Sequence, residues 1–288
     1  MRGGQWQALH LIQGLASAGH GVRLLARRGS PLLEAAINSG LDAAPLSIAS
    51  VSTSAHGFDL IHAHDARAHT ISTTLAKALI VSRRVAFPIR RSLASRWKYS
   101  LASHYIAVSQ FVHEILVESG IAPERISIVY DGVQPFRDAV PAPPRTLVVA
   151  LDSDDPKKGK RIVQEAAQLA NINVHFSKNL IDDLPRAAAF VYITESEGLG
   201  SAALLAMAAG APVLASRIGG LPEIVEDGLT GLLTSNNAAD IAAGIKRLVH
   251  DRPLAERLAA AARDRVEKNF TVDRMVRETL RVYERILS

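Results

Sequence analysis

One stretch constrains this chain more than any other: Thr194 to Gly231, TESEGLGSAALLAMAAGAPVLASRIGGLPEIVEDGLTG. The apolar run Phe190-Val191-Tyr192-Ile193 leads into it, and its β-branched and aromatic content predicts a buried strand. A turn follows at Glu197-Gly198-Leu199-Gly200, and from Ser201 to Ala209 the residues are helix formers. Gly210 stops that helix, Pro212 to Ala215 reads as the next strand, and Gly219-Gly220 opens another loop. Strand, glycine turn, helix, strand is the layout of an α/β nucleotide-type site. Glycine lets the backbone approach an anion, and a helix N-terminus points N–H groups at it. A Gly-x-Gly turn by itself is weak, because many strand-to-helix junctions carry one.

The length of 288 residues predicts two domains of roughly 120 to 150 residues each. A hydrophobic share of 48% with 21% charged residues marks a globular chain, and the absence of cysteine excludes disulfides and thiolate metal sites and suits a reducing cytoplasm. The longest apolar runs fall short of the roughly 20 residues of a membrane span, and the N-terminus lacks a signal peptide's apolar core. The net charge of +5 is concentrated. Between Asp65 and Glu114 no acidic residue occurs, while Arg67, Lys77, Arg83, Arg84, Arg90, Arg91, Arg96 and Lys98 all do, beside Trp97 and Tyr99. Such a run suits phosphates or an anionic membrane surface, or is a solvated basic face. No nucleic-acid-binding motif accompanies it, so nucleic acid is not expected as a partner.

The order and spacing of Glu197-Gly198-Leu199-Gly200, Ala206-Met207-Ala208, Gly210-Ala211-Pro212-Val213, Ala215-Ser216, Gly219-Gly220-Leu221-Pro222-Glu223-Ile224-Val225 and Asp227-Gly228 to Gly231 are far more specific than the glycines alone. This string resembles the donor half of the retaining glycosyltransferases of family 4. The resemblance implies an α/β protein of the GT-B fold, with two Rossmann-like domains whose parallel sheets face each other across a cleft. It implies that Glu197 contacts the transferred sugar and that the backbone from Gly198 through Leu199 and Gly200 to Ser201 faces sugar and diphosphate. A second glutamate of the family, eight positions on, holds the nucleotide ribose; here the position is Leu205, which cannot accept a hydroxyl hydrogen bond. The family's basic pair on the diphosphate is matched by Lys158, in Lys158-Gly159, but its arginine position is Ser153, amid Asp152, Asp154 and Asp155. Lys157 or Lys160 would have to compensate.

The rest of the chain follows the same resemblance. Gly3-Gly4 and a helix carrying Ala8, Leu9, Leu11, Ile12, Leu15 and Ala16 are similar to the family's first Gly-Gly loop and helix, which places Gly3 and Gly4 near the donor phosphates. The buried strand expected ahead of Gly3 is missing, as for a start codon read too late or a truncated relic. A strand at Val22–Ala26, a helix at Pro31–Ser39, a short strand near Ala44–Ile48 and a Ser-rich link are expected next. The strand from Phe58 to Asp65 carries His62 and His64 on one face, at the end where α/β sheets bind ligands. His-x-His is also a metal-ligand spacing; no second ligand cluster stands out, and the family works without a bound metal. His64 is thus a candidate catalytic residue or a structural histidine. Arg83 and Arg84 follow the strand Leu79–Ser82, where relatives place a group against sugar or acceptor, and arginine's fixed fork of donors suits an anionic acceptor. His104 to Ser109 is a strand ending in a helix cap, Ile126 to Val133 closes the first domain, and Pro135 to Pro144 is the linker. After Gly231 the chain is expected to be helical, Gly244 allowing close packing and a last helix from Thr271 crossing back to brace the first domain.

The expected domains are therefore 1–138, 139–269 and a final helix 270–288. The implied activity is transfer of a sugar from a nucleotide-sugar to a glycan or glycolipid acceptor with retention, in lipopolysaccharide or other cell-surface glycan synthesis. It needs no cofactor or metal. The place implied is the cytoplasm, peripheral on the inner face of the membrane through Arg83 to Lys98. Two rivals stand beside it: a degenerate, non-catalytic GT-B sugar- or nucleotide-binding protein, which Leu205 and Ser153 favour, and another Rossmann-type enzyme such as a dehydrogenase. The missing Gly-x-Gly-x-x-Gly after an N-terminal strand counts against the last.

Overall fold

The computed structural model describes residues 3–89, 92–136 and 144–288. It divides into two compact units, Met1–Gly132 with Val272–Ser288, and Val133–Thr271. The sequence boundary expected at 138/139 lies outside the described residues, as do Arg90 and Arg91 of the basic run and most of the proline-rich linker. The unit boundaries fall where Val133 bridges Thr271.

The first unit alternates helix and strand: α1 (Gly3–Ser17), β1 (Leu24–Ala26), α2 (Pro31–Asn38), β2 (Ala43–Pro45), α3 (Ile48–Gly57), β3 (Ile61–Ala63), α4 (Ala66–Ser72), β4 (Leu79–Arg83), α5 (Leu93–Ser100), β5 (His104–Ala107), α6 (Gln110–Glu118) and β6 (Ile126–Ile128). Side-chain oxygens start the helices by satisfying N–H groups that have no partner within the helix. Ser30, Asp65, Ser92 and Ser109 cap α2, α4, α5 and α6. The link expected after β2 is instead the helix α3, because Ser47 and Ser50 form a capping box and Val51, Ser54 and Ala55 turn inward. Gly3 and Gly4, expected as a loop, are the first turn of α1.

The second unit runs β7 (Leu147–Leu151), α7 (Lys160–Ala170), β8 (Val174–Ser177), α8 (Leu180–Asp183), β9 (Ala187–Tyr192), α9 (Ser201–Ala208), β10 (Val213–Ser216), α10 (Leu221–Ile224), β11 (Leu232–Thr234), α11 (Ala238–His250) and α12 (Arg252–Asn269). Its sheet is parallel throughout, in the order β11-β10-β9-β7-β8. The stretch after Gly231, read as helical, first adds β11, whose Leu232 pairs with Leu214 of β10. Side chains of β7, β9 and β10 are buried on both faces, as a parallel sheet between helices requires. On α11, Ile241, Ile245 and Leu248 turn inward, and Gly244 brings the helix onto Leu214 so closely that a β-carbon would lie 2.6 Å from its Cδ1.

The final helix, α13 (Val272–Leu287), belongs to the first unit, where Met275, Val276 and Val282 share a core with Leu11 and Leu15 of α1, Ile80 and Ile106. The strands of this unit form two parallel sheets, β1-β2 and β3-β4-β5-β6. Among the described residues no strand joins them. A cavity of about 280 Å³ lies between β1 and β3, walled by Leu11, Leu15, Leu24, Leu60 and Leu280.

Candidate active site

In an open parallel sheet the loops at the strands' carboxyl ends collect ligands, and in the second unit those loops bring Lys158 and Glu197 together. After β7 the chain makes a single 3-10 turn, Pro156–Lys158, capped by Asp155, and reverses at Gly159 in the left-handed region (φ 66°). A β-carbon on Gly159 would lie 2.7 Å from the Ile193 carbonyl oxygen, so glycine permits the turn to press on the end of β9. The Lys157 carbonyl accepts from the Glu195 amide (2.9 Å) and the Thr194 hydroxyl (3.2 Å), tying the two loops. Thr194 is held in turn by Ser216 and Asn236: its amide donates to Ser216 Oγ at 2.9 Å, and Asn236 Nδ2 donates to its carbonyl at 2.8 Å.

Across this joint, Lys158 Nζ donates to Glu197 Oε2 at 2.8 Å. The Tyr192 hydroxyl donates to the same oxygen at 2.5 Å, and Lys158 Nζ lies 3.3 Å from that hydroxyl. Burial and the Glu197 charge push the Tyr192 phenol well above its ordinary value, so it stays a protonated donor. Gly219 and Gly220 close the loop from behind, the Gly220 amide donating to the Glu197 carbonyl at 3.2 Å. The segment from Gly198 to Gly200 is buried, and Leu199 directs its side chain into the core, leaving only its main chain for a ligand. Gly200 is the N-cap of α9 and supplies no side-chain cap, so Ser201 opens a helix whose first N–H groups receive none. Leu205 is half-buried on α9 and Ser153 accepts the Asp155 amide at 3.2 Å. Lys160, weighed as a substitute cation, is paired with Asp152 at 2.5 Å.

The first unit holds a second cluster. His62 on β3 and His64, the residue after its end, lie side by side with ring centroids 4.1 Å apart. His62 bonds Tyr283 Oη (2.6 Å) through Nδ1 and Ser82 Oγ (2.8 Å) through Nε2. Burial, reinforced by Arg84, lowers His62 to about 3, and burial with His62 and Arg84 nearby holds His64 well below its ordinary value; both rings are neutral at pH 7. His64 Nδ1 is buried without a hydrogen bond among the described residues. Both arginines are engaged: Arg84 pairs with Asp131, and Arg83 donates to Tyr99 Oη (3.1 Å) and the Phe87 carbonyl (2.6 Å). Burial lowers Arg84 to about 10, leaving it charged. Gly4 lies beside Arg84, whose Cδ is 3.6 Å from where a β-carbon would be. Asp65 spends one carboxylate oxygen on the cap of α4, at 2.8 Å from two amides.

Sequence reasoning missed Tyr192, which reads only as a strand former, and Ser216, Asn236, Asp131 and Tyr283, whose partners lie far away in the chain. No group of three or more His, Asp or Glu residues is arranged to hold a metal among the described residues, and none of their helices is long and apolar enough to cross a membrane.

Residues 1–137 match the family Glycosyltransferase Family 4, and residues 134–265 match Glycosyl transferases group 1. An alpha-maltose-1-phosphate synthase of Mycolicibacterium smegmatis is 32% identical over 162 residues, which are 50% of this chain and 42% of that protein. A sulfoquinovosyl transferase of Arabidopsis thaliana is 40% identical over 95 residues, 30% of this chain and 19% of that one. In both cases the match spans less than half of the relative's own length. Among solved structures, HepE of Anabaena in complex with UDP superposes with a TM-score of 0.85 at 17% identity, covering 99% of this chain and 96% of that one. A glycosyltransferase from Rickettsia africae gives 0.82 at 18%, covering 99% and 95%.

Proposed function

The chain belongs to the GT-B glycosyltransferases of family 4 and group 1, and from that premise we propose that it moves a sugar, with retention, from a nucleotide-sugar to a hydroxyl of a cell-surface glycan or lipopolysaccharide-type acceptor. The observation that carries the reading is the Lys158–Glu197 pair at the carboxyl ends of β7 and β9, beside the amino end of α9. Cleaving a sugar–phosphate bond leaves negative charge on the diphosphate and positive charge on the sugar ring. A lysine, together with backbone N–H groups fixed in advance, stabilises the first. A carboxylate orients the sugar through its hydroxyls and favours the second.

In this reading the diphosphate lies against Lys158 and the main chain from Gly198 to Ser201, and Glu197 faces the sugar. The first unit serves the acceptor, with His64 as a neutral candidate catalytic residue and Arg83 and Arg84 as candidates for an anionic acceptor. Docking to an anionic membrane surface is supported by α5 and its C-cap: Leu93, Trp97 and the cap residue Leu101, at spacings of four, are 84%, 58% and 42% exposed beside the exposed Arg96. Solved complexes of HepE contain UDP and UDP-glucose, so UDP is the first ligand to try.

Calorimetric titration with UDP, GDP and ADP tests the reading. One of them should bind, and Lys158→Ala should weaken it at least tenfold. Folded protein that binds none would refute the transferase assignment. Binding without turnover of any nucleotide-sugar would replace it by the degenerate binding protein that the half-buried Leu205 favours.

A further inference from the structure

Glu197 presents its two carboxylate oxygens unequally. Oε2 receives both the Tyr192 hydroxyl and the Lys158 ammonium, whereas Oε1 receives no hydrogen bond among the described residues. The two donors differ in mobility. Lys158 has a long stem and a side chain 25% exposed. Tyr192 ends β9, is 4% exposed, and stacks on Phe190 with centroids 5.9 Å apart. Its two side-chain torsions are set by the core, so its hydroxyl is a fixed point.

We propose that Tyr192 is a positioning residue: it anchors Glu197 through Oε2 so that Oε1 stays directed at the sugar when Lys158 leaves the carboxylate for the diphosphate. In the unloaded site Lys158 and Glu197 neutralise one another. An arriving diphosphate competes for the ammonium, since it brings two negative charges against the carboxylate's one. Without a second donor, Oε2 would then be left without a protein hydrogen bond, and the carboxylate would follow the lysine or rotate. The Tyr192 hydroxyl removes that choice, and its buried phenol does not ionise in competition. The assignment rests on the donor reading given above.

Tyr192→Phe removes the hydroxyl and keeps the ring, so the core around Phe190 is retained. The probes are UDP and UDP-glucose, or the matching GDP or ADP pair if the wild type prefers that base. The variant should bind the nucleotide-sugar about tenfold more weakly, the effect of one lost hydrogen bond to a charged group, and the bare diphosphate within about twofold. In a Glu197→Ala background the same change should have no further effect on the nucleotide-sugar, because Tyr192 acts through that carboxylate. Lys158→Met, by contrast, should weaken both ligands. Equal loss of both ligands in Tyr192→Phe, or an undiminished effect in the Glu197→Ala background, would show a merely structural tyrosine and overturn the proposal. No change in either ligand would do the same. A wild type that binds no nucleotide would overturn the donor reading and the proposal with it, and that outcome is visible before any variant is made.

Discussion

Alanine at Gly220 attacks the candidate site through its backbone alone. The φ of Gly220 is −79°, so the substitution carries no conformational penalty of its own. The new β-carbon, however, would stand 2.2 Å from the Gly198 carbonyl oxygen and 2.9 Å from Leu199 Cα. Ordinary contact starts near 3.4 Å, so the two loops must part by about 1 Å, and no flexible side chain is available to yield. Overpacking of this kind costs about 1–3 kcal/mol. At roughly 3–4 °C per kcal/mol for a unit of this size, the melting temperature should fall by roughly 3–12 °C. The parting also breaks the bond from the Gly220 amide to the Glu197 carbonyl and moves the main chain that follows Glu197. Misplacement by about 1 Å in a binding constellation costs on the order of a hundredfold. Calorimetry should therefore show the folded variant losing nucleotide affinity by one to two orders of magnitude, roughly 10- to 100-fold. Gly21→Ala is the control, since nothing lies within 4 Å of its added carbon; its melting temperature should match the wild type. A Gly220→Ala protein that melts and binds like the wild type would show that these loops do not press together as described.

Three further outcomes are expected. Glu197→Ala should abolish sugar transfer with the fold intact by circular dichroism; unchanged transfer would remove Glu197 from the mechanism. Leu205→Glu, on the half-buried face of α9, should raise nucleoside diphosphate affinity several-fold by supplying an acceptor for ribose hydroxyls, about the worth of one or two hydrogen bonds; calorimetry reads this directly, and an unchanged affinity would mean the ribose lies elsewhere. Stability should fall as pH drops below about 6.5. The folded chain holds His62 at about 3, while the unfolded chain takes up the proton near 6.5. Across that window the unfolded state binds more protons, so stability rises with pH. His62→Gln should flatten the decline of the melting temperature between pH 6.5 and 4, and an equally steep decline would assign it to other groups.

What the sequence made legible is what local chemistry writes. The strand, glycine turn and helix around Glu197 were readable because glycine and helix-forming residues act within a few positions. The Ser109 cap and the inward stripe of α11 were readable for the same reason. Where short-range signals compete, the reading erred. Ser47 and Ser50 look like linker residues until both are seen to bond each other's backbone at the start of α3. Leu232 to Thr234 is too short to announce a strand and becomes one because Leu214 offers its open edge. The functional geometry was the least legible part. Neither the convergence of Tyr192 and Lys158 on one oxygen of Glu197 nor the pairing of Arg84 with Asp131 has a sequence period, since each spans 5 to 47 positions and depends on which strands are neighbours.

The aspartates beside Lys158 show how tertiary contacts change an electrostatic judgement made on composition. Three acidic residues where a diphosphate should sit argue, by charge alone, for a weakened or lost site. Two of them are committed elsewhere. Asp152 turns to Lys160 at 2.5 Å and Lys178 at 3.7 Å, which hold its carboxyl below the ordinary range. Asp155 caps the Lys157 amide at 3.0 Å and so builds the turn that carries Lys158. The acidic run thus supports the loop's shape, and Lys160, by staying with Asp152, leaves the diphosphate to Lys158. A single cation shared between a carboxylate and a diphosphate makes the second anchor on that carboxylate decisive, and the sequence places Tyr192 there. Loss of Lys158 in this chain should accordingly cost more affinity than loss of either lysine beside it, and Lys160→Ala should leave nucleotide binding within about twofold; a larger effect would return Lys160 to the diphosphate.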